Sequence, residues 1–337
     1  MSDTPHADPA HRASAPGWAI ATFDASGVRR LWIAGQAHLP SATSVTPETR
    51  FRWFSVTKLV TAAAVMKARE QAQLDLDEDV RDRLPWFRPR ARVTVRHLLS
   101  HASGLANPSA LGWVHPPGSA LRSDAVLVRE TYDKYPRLRS SPGAIATYTN
   151  LGYLVLGELL AQVHGAYADA ALPMLEAAGA RANFDERAAA TGHETLRSIR
   201  TLAMAVLFNR RTPGLVAYVR DGWVGMTEVT LEGRAYGGLL GSIDDLVGLG
   251  RAFLVPDVML SKRSLTAMAR LTASGPRGNY GLGFWHHGDG WIGHGGEAGG
   301  YRAELHLHPE RSVGMAMLAN GGVASTAAMI NALKRQN

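Results

Sequence analysis

Ser55-Val56-Thr57-Lys58 stands directly before Leu59-Val60-Thr61-Ala62-Ala63-Ala64-Val65-Met66, an uncharged run that reads as a buried helix. Residues i and i+3 share a helix face, so Ser55 Oγ and Lys58 Nζ can meet at its start. A serine there also gains free backbone N–H groups and the positive end of the helix dipole, both suited to a developing oxyanion. The dipole contributes only about 0.3–1 kcal/mol at an exposed site. The lysine has to do more, and it serves as a base only if desolvation depresses its pKa. Moving a lysine from roughly 10.4 to near 7 takes about 4 kcal/mol of differential solvation. The plain alternative is a surface lysine beside a helix-capping serine. The lysines of the chain are Lys58, Lys67, Lys134, Lys262 and Lys334, and only Lys58 follows a serine at this spacing with apolar flanks.

The 337 residues suffice for one large domain or two intertwined ones. A chain of this size buries about 75% of the surface its unfolded form exposes, so it needs no staples. That fits the absence of cysteine, which excludes disulfides, thiolate metal sites and cysteine nucleophiles. The net charge of +7 raises the question of nucleic acid. The arginines are scattered, however, and the densest group, Arg81 to Arg96, is broken by Trp86, Phe87 and two prolines. No recognition-helix, zinc-ligand or aromatic RNA-binding pattern accompanies it. A solvated basic surface is expected instead, one that favours anionic substrates at low salt. Met1 to Pro16 is a polar lead without an apolar core, and no run approaches 18 apolar residues. The expectation is a cytoplasmic protein without a membrane span, or a periplasmic one if a leader has been removed.

Trp18 to Phe23 and Arg30 to Ala34 read as strands joined by the turn Asp24-Ala25-Ser26-Gly27. An acidic break at Asp75 to Asp79 follows the Ser55 helix. From there to about Gly233 the pattern is short helices and loops, clearest at Thr94–Leu99 and Asn150–Gln162. Strands return at Gly283–His286, Trp291–His294, Ala303–His308 and Val313–Leu318, and a helix is expected over Ala324–Arg335. These elements predict an α+β fold, with one antiparallel sheet built from both chain ends, flanked by helices, and an inserted, mostly helical region. The expected division is 17–75 with 233–337 as the sheet domain, 76–232 as the insertion and 1–16 as a flexible lead. A cleft is expected at the junction, near Ser55. Loops between Leu172 and Gly222 are expected to shape it.

Two further stretches carry chemistry. Tyr148-Thr149-Asn150 opens an apolar helix. A tyrosine hydroxyl can shuttle protons if a nearby ammonium stabilises its phenolate, and the Asn150 amide can hold a substrate carbonyl while bonding Lys58. Taken alone, the tripeptide reads more simply as Asn150 capping the helix and Tyr148 packing. Gly293-His294-Gly295-Gly296-Glu297-Ala298-Gly299-Gly300-Tyr301 follows the strand from Trp291 and suggests either close backbone approach by a ligand or a flexible hairpin. His286, His287, His294, His306 and His308 cluster in the tail, with His306 and His308 on one strand face. No third ligand is fixed by spacing, so neither metal nor other cofactor is expected.

Ser55-x-x-Lys58, Tyr148-x-Asn150 and His294-Gly295-Gly296 occur in the order of the serine β-lactamase and penicillin-recognising hydrolase superfamily. The chain more closely resembles its class C-like branch of esterases and D-alanyl-D-alanine peptidases. Val95-Arg96-His97-Leu98-Leu99-Ser100-His101-Ala102-Ser103-Gly104-Leu105 and Ala235-Tyr236-Gly237-Gly238-Leu239 resemble two more segments of that branch, so the likeness spans roughly Gly17 to Ala332. It implies that Ser55 is the acylated nucleophile, with Lys58 and Tyr148 sharing base and acid duties and Asn150 positioning the substrate. His294, Gly295 and Gly296 would line the substrate, and the N–H groups of Ser55 and Glu297 would form the oxyanion hole.

The departures bear on substrate. Penicillin recognisers commonly have Lys-Thr-Gly or His-Thr-Gly where this chain has His294-Gly295-Gly296. The missing lysine and hydroxyl would help to hold a substrate carboxylate, although a charged His294 would restore part of that. A carboxylesterase for small esters is therefore favoured over a β-lactamase or D-alanyl-D-alanine carboxypeptidase. An acyltransferase and a non-catalytic binder of the same fold are the remaining alternatives. An α/β-hydrolase is disfavoured, since no Gly-x-Ser-x-Gly elbow occurs. The partner expected is a small ester or amide, with no nucleic acid. Purified protein is expected to hydrolyse short-chain aryl esters and to turn over cephalosporins poorly; faster cephalosporin turnover would reverse that ordering.

Overall fold

The computed structural model describes residues 15–184, 190–195 and 215–321. The helix expected over Ala324–Arg335 and much of the loop region after Leu172 lie outside them.

Strands from both chain ends share one nine-stranded antiparallel sheet. In spatial order it runs Ala273–Gly275, Gly278–Tyr280, Trp285–Gly288, Trp291–Ala298, Tyr301–His308, Val313–Ala319, Gly17–Asp24, Val28–His38 and Thr43–Ser44. The first strand of the chain therefore pairs with the last described one, Trp18 opposite Ala319 and Asp24 opposite Val313. Both are buried along nearly their whole length, so they lack the polar alternation of a one-faced strand. Val28–His38 lies towards the edge, is largely exposed, and extends well past the Arg30–Ala34 expected.

Helix Thr57–Glu70 is buried from Thr57 to Met66 without a polar face, which fits a helix in the interior. Helix Ile243–Leu254 packs on the central strands. Its start is fixed reciprocally: the Ser242 hydroxyl accepts the Asp245 N–H at 3.2 Å, and the Asp245 carboxylate accepts the Ser242 N–H at 2.8 Å. The α+β class and the antiparallel sheet with flanking helices are as expected from the sequence.

Three details differ from expectation. The glycine run lies inside a strand, which continues to Ala298 and turns at Gly299-Gly300, in register with Tyr301–His308 throughout. Pairing on the sheet overrides the poor strand preference of glycine. The preceding strand begins at Trp285 because Gly283 adopts a left-handed φ of 92°. Finally, part of the arginine-rich stretch is locally neutralised by the acidic break before it. Arg81 meets Asp79, Arg83 meets Glu78 at 3.3 Å, and Arg96 meets Asp77 at 2.6 Å.

Ser242→Ala removes one half of the helix cap. It is expected to lower unfolding free energy by about 1 kcal/mol in urea titration while leaving activity per folded molecule unchanged.

Candidate active site

Ser55 sits in a single 3-10 turn, Phe54–Val56, that runs into helix Thr57–Glu70. Phe54 takes a left-handed φ of 43°, an uncommon conformation for a bulky residue, and the turn projects Ser55 towards the cleft side of the helix. Ser55 Oγ lies 3.0 Å from Lys58 Nζ and 2.8 Å from the Tyr148 hydroxyl, which donates to it. Two side chains, three and 93 residues away in sequence, thus converge on the Ser55 oxygen.

Lys58 has no solvent exposure. Its amine donates to the Tyr236 carbonyl at 2.8 Å and lies 4.9, 5.5 and 5.3 Å from the ring centres of Tyr148, Tyr153 and Tyr236. Such rings attract a cation, but burial outweighs them and pushes the amine well below its ordinary pKa. Burial acts on Tyr148 in the opposite sense and raises its phenol, against the bond to Ser55. Burial thus works against both charged forms, the Lys58 ammonium and the Tyr148 phenolate, and so against an ammonium supporting a phenolate. The expected bond between Asn150 and Lys58 is replaced by the Tyr236 carbonyl, a main-chain group with no side-chain signature in sequence.

Asn150 is the first helical residue, and the capping role belongs to Thr149, whose hydroxyl accepts the Gly152 N–H. The Asn150 Oδ1 is left without a protein partner. Asn150 lines a cleft of about 360 Å³ together with Ser55, Phe54, Leu111, Met226 and Glu297. Leu215 and Glu194, from the loop region expected to shape it, also contribute.

The glycine-rich strand packs against the Ser55 turn, and its end, with Glu297, Ala298 and Gly299, lines the cleft. A Cβ on Gly296 would fall 2.1 Å from the Trp53 carbonyl oxygen and 2.8 Å from the Ser55 nitrogen, so only glycine allows this approach. A Cβ on Gly295 would fall 2.7 Å from a Glu304 carboxylate oxygen. Burial works to raise the Glu304 carboxyl, but bonds to His306 and Arg302 outweigh it and hold the group below its ordinary value. His294 is fully buried, and burial, followed by proximity to Lys58, lowers it to about 3. It is therefore neutral near pH 7 and cannot replace the charge of the missing lysine. The possible pairing of His306 and His308 as metal ligands is not realised. His306 bonds Glu304 at 3.1 Å, whereas His308 packs on Trp291, and no group of three or more ligand residues is assembled among the described residues.

A serine bracketed by an amine and a phenol, between an apolar helix and an antiparallel sheet, defines a serine hydrolase of the β-lactamase-like type. The chain belongs to the Beta-lactamase family, whose model matches residues 7–336. Penicillin-binding protein 4 of Amycolatopsis lactamdurans is 28% identical over 335 residues, covering 92% of this chain and 82% of that protein. Esterase EstB of Burkholderia gladioli is 40% identical over 77 residues, which is 21% of this chain and 20% of its own. In fold, the chain resembles EstCE1, described as a hydrolase with promiscuous acyltransferase activity, with a TM-score of 0.74 at 20% identity, over 97% of this chain and 94% of that one. No helix among the described residues is long and apolar enough to cross a membrane.

Because the folded pKa of His294 lies below the ordinary value near 6.5, its contribution to stability is complete above pH 6.5 and is lost as pH falls towards about 3. Urea midpoints measured across that window are expected to drop on acidification, and His294→Phe is expected to flatten the slope. An unchanged slope would mean that His294 is not buried neutral.

Proposed function

We propose that this chain is a carboxylesterase for small esters that works through an acyl-enzyme on Ser55. The observation that carries the reading is the placement of Ser55 Oγ between a desolvated amine and a phenol hydroxyl. Neutral Lys58 accepts the Ser55 proton as Oγ attacks the ester carbonyl. The N–H groups of Ser55 and Glu297 receive the oxyanion, and each such donor typically contributes about 2.7–4 kcal/mol in the transition state. On collapse, Tyr148 gives its proton to the departing alkoxide and is reprotonated from Lys58. Water then repeats the attack on the acyl-enzyme, releasing acid and restoring Ser55. Asn150, with its unpartnered amide oxygen, orients the substrate.

An ester substrate is preferred over a carboxylate-bearing one on electrostatic grounds. The third element itself offers a neutral histidine and a glycine, with an ionised Glu304 behind it, and the neighbouring Arg302 is already paired with Glu297 and Glu304, while Arg52 of the cleft lining donates to the Val229 carbonyl. Apolar walls at Phe54, Leu111, Val114 and Leu231 fit a short acyl chain. They also limit water, which supports acyl transfer to an alcohol as a second reading.

Hydrolysis of p-nitrophenyl butyrate by matched wild-type and Ser55→Ala protein tests the reading, with activity expected to fall to background in the variant. Lys58→Met should lower kcat by about 10²–10⁴-fold and raise Tm, because it removes a buried polar group that lacks a counter-charge. Equal activity in wild type and Ser55→Ala would sink the mechanism.

A further inference from the structure

We propose that His101 is a positioning residue for Tyr148, acting as a neutral Nε2–H imidazole that accepts the Thr149 N–H and packs against the phenol ring. The inference rests on the reading that Tyr148 acts on Ser55.

Tyr148 lies in a segment without regular structure just before helix Asn150–His164, so the helix alone does not fix its side chain. The segment is instead held from outside by the loop after helix Val95–Leu99. The His101 carbonyl accepts the Thr147 N–H at 2.8 Å, and His101 Nδ1 accepts the Thr149 N–H at 3.2 Å. Further along, the Ala106 carbonyl takes the Thr149 hydroxyl at 2.7 Å and Asn107 Oδ1 takes the Asn150 N–H at 2.9 Å. His101 thus grips the backbone on both sides of Tyr148, and its ring centre lies 4.5 Å from that of the phenol.

Two features mark the imidazole as more than filler. His101 holds a left-handed φ of 57°, uncommon for a residue with a side chain, and is 1% exposed. Its Nε2 has no partner, an arrangement that an apolar side chain of similar size would avoid. What an apolar residue could not supply is the acceptor at Nδ1. That acceptor requires the neutral Nε2–H tautomer, since a protonated ring donates from both nitrogens. The surroundings favour neutrality: burial first, then Lys58 and His294, lower the His101 pKa, and Tyr148, Tyr153 and Tyr280 present uncharged rings.

Asparagine and glutamine separate the acceptor from bulk. Asparagine carries its oxygen at the depth of Nδ1 and tolerates the left-handed backbone, whereas glutamine carries its amide one bond further out. With p-nitrophenyl butyrate, His101→Gln should lose about 10- to 100-fold in kcat at nearly constant KM, the cost of a misplaced catalytic group. Labelling of Ser55 by a fluorophosphonate should slow in parallel. His101→Asn should stay within about threefold of wild type. Equal losses in both variants, or losses that merely track Tm, would overturn the proposal.

A measurement on the wild type guards against variants that fail to fold. Its ¹⁵N-histidine spectrum should show His101 as the Nε2–H tautomer with an accepting Nδ1, and an Nδ1–H tautomer would overturn the proposal. If the wild type neither hydrolyses the ester nor takes the fluorophosphonate, the esterase reading fails, while this spectrum still decides the state of His101.

Discussion

An amine buried without a counter-charge sets the terms for this site. Lys58 has no exposure, and its near neighbours are a serine oxygen, a main-chain carbonyl and three phenol rings. Burying a charged ammonium among such groups is costly, so burial lowers the amine's pKa and favours its neutral form. The cost of keeping it there is spread over the fold. The helix must be uncharged from Leu59 to Met66, with the Tyr236 carbonyl brought in from a segment 178 residues away. Tyr148 must stay protonated beside it, which burial ensures. A carboxylate within reach would undo the arrangement by returning the proton to the lysine.

The second constraint is steric, and it explains the glycines as packing rather than flexibility. The sheet meets the Ser55 turn where Gly296 passes the Trp53 carbonyl, and a methyl group there would overlap it. Alternation along the strand then gives Gly296 and His294 one face and Gly295 the other, where the Glu304 carboxylate fills the space a side chain would take. A threonine hydroxyl at position 295 would therefore have to displace a carboxylate that pairs with Arg302 and hydrogen-bonds His306.

Features set by local spacing were legible in the sequence. The three-residue interval between Ser55 and Lys58 dictates their meeting, and the turn at Asp24 to Gly27 dictates the first hairpin. The antiparallel sheet was readable from strand runs at both chain ends. What stayed hidden depends on tertiary surroundings. The protonation states of Lys58, Tyr148 and His294 follow from burial, which no tripeptide displays. The Tyr236 carbonyl is a main-chain group and carries no residue code. The glycine strand was cut short at His294 because its pairing partner, Tyr301–His308, supplies the order that glycine itself does not. His101 lay within a quoted motif, but its contact with the Thr149 N–H exists only once the loop folds back.

Net charge illustrates the same divide. The chain carries +7, yet near the reacting centre His294 is uncharged at neutral pH and burial works against the charged form of Lys58. Arg81, Arg83 and Arg96 are tied to neighbouring carboxylates, and exposed charge is screened beyond roughly 8–10 Å at physiological salt. The basic surface thus says little about the field at Ser55. While Arg52, a cation lining the same cleft, donates to the Val229 carbonyl, the oxyanion of the proposed reaction forms beside a neutral His294 and carries negative charge. It has to be met by fixed dipoles, the backbone N–H groups beside Ser55 and along the glycine-rich strand. The close contact at Gly296 is then the feature that brings the two sets of N–H groups together, and the strand must lack a side chain there for that contact to form.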